Sequence, residues 1–247
     1  MRTLKALSAL LTYPSEGLIT ALPEIAAAVE ADKLIGRADR AGLLALVAHL
    51  KEGDLFDRQE AFGLLFDRTR SLSLHLFEHV HGESRDRGQA MVDLIKVYED
   101  GGFTPTTEEL PDFLPLFLEF ASTRAPQEAI DLIAQPAHVI SALAERLAKR
   151  KSPYQAIFRT LLVLAKAKPD KAALAALLAE PDPEPDDLEA LDAAWEEEEV
   201  TFGPGATANC GKDGLASKLR QATRLAPGMD APVPTPRTTI HHSGSRP

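Results

Sequence analysis

Apolar residues recur every three or four positions from Thr3 to about Phe202, and short polar breaks interrupt them. That spacing lines one face of an α-helix, so the pattern predicts successive helices joined by short turns. The first is amphipathic, with Leu4, Leu7, Leu10 and Leu11 in register, and Pro14-Ser15 ends it. Ser15 is placed to cap a second helix, and Pro23 is expected to begin a new helical turn. In "ADRAGLLALVAHLKEG" the face is Leu43, Leu46, Val47 and Leu50, and Gly53 is the stop. The longest helix is expected from about Asp57 to His81. Phe62, Leu65, Phe66, Thr69, Leu72, Ser73, Leu76, Phe77 and Val80 then share one broad stripe, the core side of a bundle helix. Gly82 stops it.

A helix from about Ser84 to Glu99 follows, with Met91, Leu94, Ile95 and Tyr98 inward and Gly101-Gly102 closing it. In "ELPDFLPLFLEFAS", Asp112 stands where an N-cap belongs and Pro115 fits a first turn. Phe113, Leu116, Phe117 and Phe120 make its apolar face. Helices near 126–134, 136–150 and 153–167 each open at a proline. "DKAALAALLAE" is a short helix, "PDPEPDD" a stiff acidic linker, and "DLEALDAAWEEEEVTFG" a last helix with Leu188, Leu191 and Trp195 inward. After Gly203 the pattern gives way to Gly, Pro, Ser and Thr, within which "GLASKLRQATRLA" has the makings of a transient amphipathic helix. The expectation is an all-α fold: a single helical bundle domain over residues 1–203, and a flexible, disordered C-terminal tail over 204–247. No fixed-period repeat supports a solenoid.

Composition agrees with helices. Of 247 residues 45% are hydrophobic, only 6% are aromatic, and Ala and Leu dominate. The net charge of −10 is local. Ten acids lie between Asp182 and Glu199 without a Lys or Arg, which leaves 27 acids against 27 bases elsewhere. A body with no excess of positive charge is a poor nucleic-acid partner. The lone cysteine, Cys210, allows no internal disulfide and fits a reducing cytoplasm. No apolar run approaches the roughly 18 residues of a membrane span, so no membrane insertion is expected.

Candidate chemistry centres on "SLSLHLFEHVHGESRDRG", where His75, Glu78 and His79 spell H-x-x-E-H. Two His one helical turn apart can share a zinc ion, as in one class of peptidase. The same residues also read as histidines flanking a core stripe, or as a partner-binding edge. A catalytic zinc needs a third protein ligand, and the sequence offers no evident one, because the Gly82 break leaves the directions of His81 and Glu83 open. His241-His242 and the Cys210 context carry no catalytic pattern, and "EEEE" at 196–199 is the solvated face of a helix. Arg85 and Arg87 open a helix, where bases are disfavoured, so they call for an ion pair with an acid such as Glu78 or Glu119, or for a binding edge.

The run "EAFGLLFDRTRSLSLHLFEHVHGESRDRGQAMVDLIKVYE" closely resembles the core of the NarJ-type nitrate reductase assembly chaperones, within the TorD-like group of redox-enzyme maturation proteins. "LKALSALLTYP", "LPDFLPLFLEF" and "VTFG" agree in order, so the resemblance covers most of residues 3–203. It implies an all-helical chaperone with no catalytic activity, monomeric when free, that works in the cytoplasm. Its implied partner is the N-terminal segment of the nitrate reductase catalytic subunit, with cofactor-delivery proteins as candidate further partners. No cofactor is held stably; the client apoenzyme receives the molybdenum cofactor and an iron–sulfur cluster. The family motifs fall on Phe77, Glu78, His79, His81, Arg85, Arg87, Asp112, Phe113, Phe117 and Glu119 as candidate client-peptide residues, with Gly82 and Pro111 as structural positions. Glu78, Asp112 and Glu119 would form an acidic edge, and Phe77, Phe113 and Phe117 the floor, of a groove for a basic amphipathic helix. A zinc peptidase and a plain helical scaffold are the alternatives.

Overall fold

The N-terminal apolar stripe forms α1, Arg2–Leu10, in which Leu4, Leu7 and Leu10 are fully buried. The computed structural model describes residues 1–82, 84, 86–105, 109–183 and 187, and among these are eleven α-helices and a single 3-10 turn. The fold is therefore all-α, as the spacing predicts. The Ser15 hydroxyl accepts the Leu18 N–H at 3.1 Å and so caps α2, Glu16–Ala31. Pro23 does not begin a new element. It lies inside α2, which runs through it and gives up only the hydrogen bond that proline cannot donate. Next comes α3, Arg37–Lys51, with Leu43, Leu46, Val47 and Leu50 buried as its pattern requires.

The expected long helix from Asp57 to His81 is two helices. The first, α4, spans Leu55–Phe66; a 3-10 turn follows at Arg70–Leu72; and α5 spans only Leu76–His81. Thr69, Ser71 and Ser73 occupy the break, and such side chains compete with helical hydrogen bonding. The Ser73 hydroxyl takes the His75 N–H at 3.2 Å, and the backbone around His75 finds partners at 112–114 instead of within a helix. Gly82 ends α5 at φ 51° and ψ −132°, and a β-carbon there would lie 2.8 Å from the Arg70 guanidinium. Only glycine adopts that backbone without strain.

The remaining helices are α6 (Asp86–Asp100), α7 (Leu114–Ser122), α8 (Pro126–Ala134), α9 (Ala137–Lys149), α10 (Gln155–Ala165) and α11 (Lys171–Ala179). In α6 the buried face is Ala90, Leu94, Val97 and Tyr98, while Met91 and Ile95 are half-buried. Pairs α1–α7, α2–α3 and α9–α10 pack closely, α10 also meets α3 and α8, and α11 lies on α9. Tyr98, Phe77, Phe117, Phe120 and Phe158 are the largest fully buried side chains. Burial of such a side chain stabilises the fold by about 1.5–3 kcal/mol.

The start of "PDPEPDD" is fixed to the bundle. The Arg150 fork donates to both Asp182 carboxylate oxygens, at 3.0 and 2.7 Å, and the Ser71 hydroxyl donates to one of them at 2.8 Å. Arg146 of α9, buried to 3% exposure, donates to the Ser71 carbonyl at 2.7 Å and the Leu177 carbonyl at 2.6 Å. Arg146 of α9 and Arg150 at its C-cap thus join the 3-10 turn, α11 and Asp182. The expected helix with Leu188, Leu191 and Trp195, the acids 196–199, "VTFG", the tail with Cys210 and His241-His242, and the boundary at 203 lie outside the described residues. Among the described residues no helix is long and apolar enough to cross a membrane.

Candidate functional site

Two chain segments cross at the heart of the motif region. The Leu114 N–H donates to the Leu74 carbonyl at 2.8 Å and the Leu76 N–H to the Asp112 carbonyl at 3.1 Å. Together they make an isolated antiparallel bridge between His75 and Phe113. Asp112 is fully buried at this crossing. Its carboxylate accepts the Phe77 N–H at 2.9 Å and faces His75 Nδ1 at 3.3 Å. Asp112 was expected to cap its own helix, but the N-cap of α7 is Phe113, without a side-chain capping bond. Asp112 instead caps α5 from across the bundle, where a negative charge meets the positive end of a helix. Pro111 is buried beside it, and its carbonyl accepts the Tyr98 hydroxyl at 2.6 Å.

The three histidines differ in environment. Burial alone would lower His75, but the Asp112 hydrogen bond and the charges of Asp112 and Glu78 outweigh it, even against Arg87, and hold its pKa above 6.5. Burial lowers His79 below 6.5; its Nε2–H donates to the Ser73 carbonyl at 2.8 Å, which fixes the neutral tautomer. Burial likewise lowers His81, whose ring stands edge-on to Phe77 at 5.4 Å.

A raised histidine contributes stability that is present below 6.5 and lost as pH rises through its folded pKa. A lowered histidine works the other way: its contribution is present above 6.5 and lost as pH falls. Unfolding free energy measured from about pH 5 to about pH 8 should therefore climb towards 6.5 and decline beyond it. His75→Gln should abolish the decline and leave the climb. A decline that survives in this variant would show that a group other than His75 produces it.

Two clefts meet at this crossing. The larger, about 650 Å³, runs between the turn after α1, the end of α4 and the start of α7. The half-buried Phe113 and Leu116 supply its apolar surface above Phe62 and Phe66, which are 4% and 3% exposed, and Asp67, Glu109 and Glu119 supply its acids; no Lys or Arg is among its described lining residues. The smaller, about 280 Å³, shares Phe66, Asp67 and His75 and adds Arg70, Glu78 and Arg87. Arg87 and Glu78 pair there at 3.1 Å, which gives the arginine at the start of α6 its partner.

Among the candidate residues, Glu78, Arg87, Phe113 and Glu119 line these clefts. The half-buried Phe113 ring lies over His75, 5.2 Å between centroids. Phe77, at 0%, and Phe117, at 1%, have no exposed surface, and Asp112 and His79 are buried with them. These four act in the core at the crossing; in this conformation none forms a groove floor or edge. Arg85 lies outside the described residues. Sequence reasoning missed Asp67, Glu109 and the polar Ser8 and Thr12 of the α1 end as cleft-lining residues, while Phe62 and Phe66 are buried as their stripe predicts. The two hydroxyl residues inside an apolar helix pattern were the available signal. The pairing assumed for a zinc ion is absent, because His75 precedes α5 and turns to Asp112 while His79 turns to Ser73. Among the described residues no three His, Cys, Asp or Glu side chains are grouped to hold a metal ion.

Comparison with known proteins places this architecture. The family model described as "Nitrate reductase delta subunit" matches residues 32–160. The chain is 40% identical over 228 residues to the "Nitrate reductase molybdenum cofactor assembly chaperone NarJ" of Escherichia coli strain K12, covering 92% of this chain and 95% of that one. It is 38% identical over 202 residues to the "Probable nitrate reductase molybdenum cofactor assembly chaperone NarW" of the same strain, 82% and 84% of the two chains. A "Probable nitrate reductase molybdenum cofactor assembly chaperone NarJ" of Bacillus subtilis strain 168 is 34% identical over 164 residues, 65% and 86% of the two. With a family model that matches over half of the chain and relatives that agree with it, the chain belongs to the nitrate reductase delta subunit family as a NarJ-type protein.

Proposed function

We propose that this protein is a dedicated assembly chaperone for a nitrate reductase. It binds the N-terminal segment of the catalytic subunit in the cytoplasm, keeps the apoenzyme open to molybdenum cofactor insertion, and leaves before membrane docking. It carries out no reaction of its own and holds no cofactor stably. The observation that carries this reading is the 40% identity, over 92% of the chain, to a protein named as such a chaperone. The cleft adds a physical argument. An amphipathic helix needs an apolar surface for one face and opposite charge along the edge of the other. Phe113 and Leu116 offer the first, and Asp67, Glu109 and Glu119 the second, for a basic client. Rim charges of this kind act mainly on association rate and selectivity.

Titration of the full chain with a synthetic peptide of the catalytic subunit's N-terminus should give saturable one-to-one binding, with Kd at or below tens of micromolar, roughly −6 kcal/mol. The double reversal Glu109→Lys/Glu119→Lys should weaken it by about tenfold and flatten its salt dependence. Absence of heat or shift with the unmodified chain would reject the client reading. Unchanged affinity in the double variant would reject the cleft as its place.

A further inference from the structure

We infer that the basic C-terminal segment "GLASKLRQATRLA", residues 214–226, occupies the acidic cleft of the same chain when no client is present. It acts there as an internal competitor. The inference rests on reading that cleft as the client site, and three observations support it.

The first is charge. The cleft's described lining carries Asp67, Glu109 and Glu119 and no Lys or Arg. Residues 214–226 carry Lys218, Arg220 and Arg224 and no acid. The second is pattern. At helical spacing Leu215, Leu219, Ala222 and Ala226 share one face, with Arg220 and Arg224 opposite. That is the chemistry the cleft would select in a client: one apolar stripe and a basic back. The third is where the tether begins. Asp182 is held by Arg150 and by Ser71, in the same turn whose Thr69, Arg70 and Ser73 line the smaller cleft. About 30 residues separate Pro183 from Gly214, a length that even fully helical, at about 1.5 Å per residue, extends roughly 45 Å. A segment on the same chain meets the cleft in an intramolecular step, whose effective concentration does not fall on dilution. Weak intrinsic affinity then suffices where the same segment added in trans would not bind.

A larger groove, about 970 Å³ between α1 and α2, is a poorer seat. Its Arg2 and Lys5 balance its Glu24 and Asp32, so its charge selects no basic partner. The ten acids between Asp182 and Glu199 would attract the same bases, and the test separates that case.

The test uses the full chain with a nitroxide on its single cysteine, Cys210, four residues before the segment. Resonances of Thr12, Phe113 and Leu116 should broaden, and the client peptide should restore them. The variant Lys218→Glu/Arg220→Glu/Arg224→Glu should lose the broadening and bind the client about threefold to tenfold more tightly, because the competent fraction rises. No broadening at the cleft, as when the tail prefers the acidic run, overturns the inference; so does equal client affinity in both proteins. Broadening that passes between separately labelled copies also overturns it, since the occupant is then a neighbour's tail. If the client binds neither protein while cleft broadening persists, the client reading fails and the tail site stands.

Discussion

Arg146→Ala is expected to lower the unfolding free energy by about 3–5 kcal/mol, seen as a fall in the urea midpoint. The guanidinium is buried and donates to the carbonyls of Ser71 and Leu177, so it joins α9 to the 3-10 turn and to α11. Truncation opens a cavity and strands two carbonyls, each costing about 1–3 kcal/mol when unpaired. Burial pulls the Arg146 pKa down, and the charges of Asp182 and Glu180 pull it back, so the group remains a cation within a local network. Arg146→Lys keeps the charge but cannot reach both carbonyls in a planar fork, and should fall between the two proteins. A loss under 1 kcal/mol for the alanine variant would mean that water replaces the fork, and that α11 is not fastened through it.

Asp112→Ala should cost about 2–4 kcal/mol, combining loss of a helix cap with a stranded N–H at Phe77. The carboxylate has no exposed surface and serves two partners, so nothing in solution substitutes for it. Asp112→Asn retains an acceptor for the Phe77 N–H and should lose about half as much. Both variants should bring the His75 pKa down, since the Asp112 hydrogen bond and charge raise it against burial. A His75 titration that stays put in both would assign its elevation to Glu78 instead.

Local pattern carried most of the fold. The faces of α1 and α3, and the Ser15 cap of α2, were legible because each lies within one stretch of chain. Residues 67–75 were not, since Thr69 and Ser73 sit at stripe positions and the backbone there leaves the helix for partners at 112–114. Asp112 read as a local cap for the same reason: nothing nearby in sequence shows that its carboxylate points to another helix. Nothing local in the sequence singles out Arg146, because the carbonyls it satisfies belong to residues 71 and 177. At the site, Glu119, Phe113 and the Glu78–Arg87 pair could be named from the motifs. Which aromatics stay uncovered could not, because Phe113 and Phe117 share one face of the pattern, yet only Phe113 keeps exposed surface while Phe117 is 1% exposed. Asp67 and Glu109 are single acids in polar turns, a commonplace until the fold brings them to one rim.

The crossing at His75 and Phe113 also bears on how the molecule reaches its folded state. Its ion pair joins residues 37 positions apart. Closing a loop of that length costs about 3 kcal/mol of chain entropy beyond the constant term, whereas the turns within α9 or α10 form from neighbours. Contacts of low sequence separation form early and such a crossing late. The clefts need that crossing in place, so a nascent or partly folded copy of this protein has helices but not the cleft proposed to receive its client. Competence to receive another unfinished protein would then arise only at the last step of its own folding.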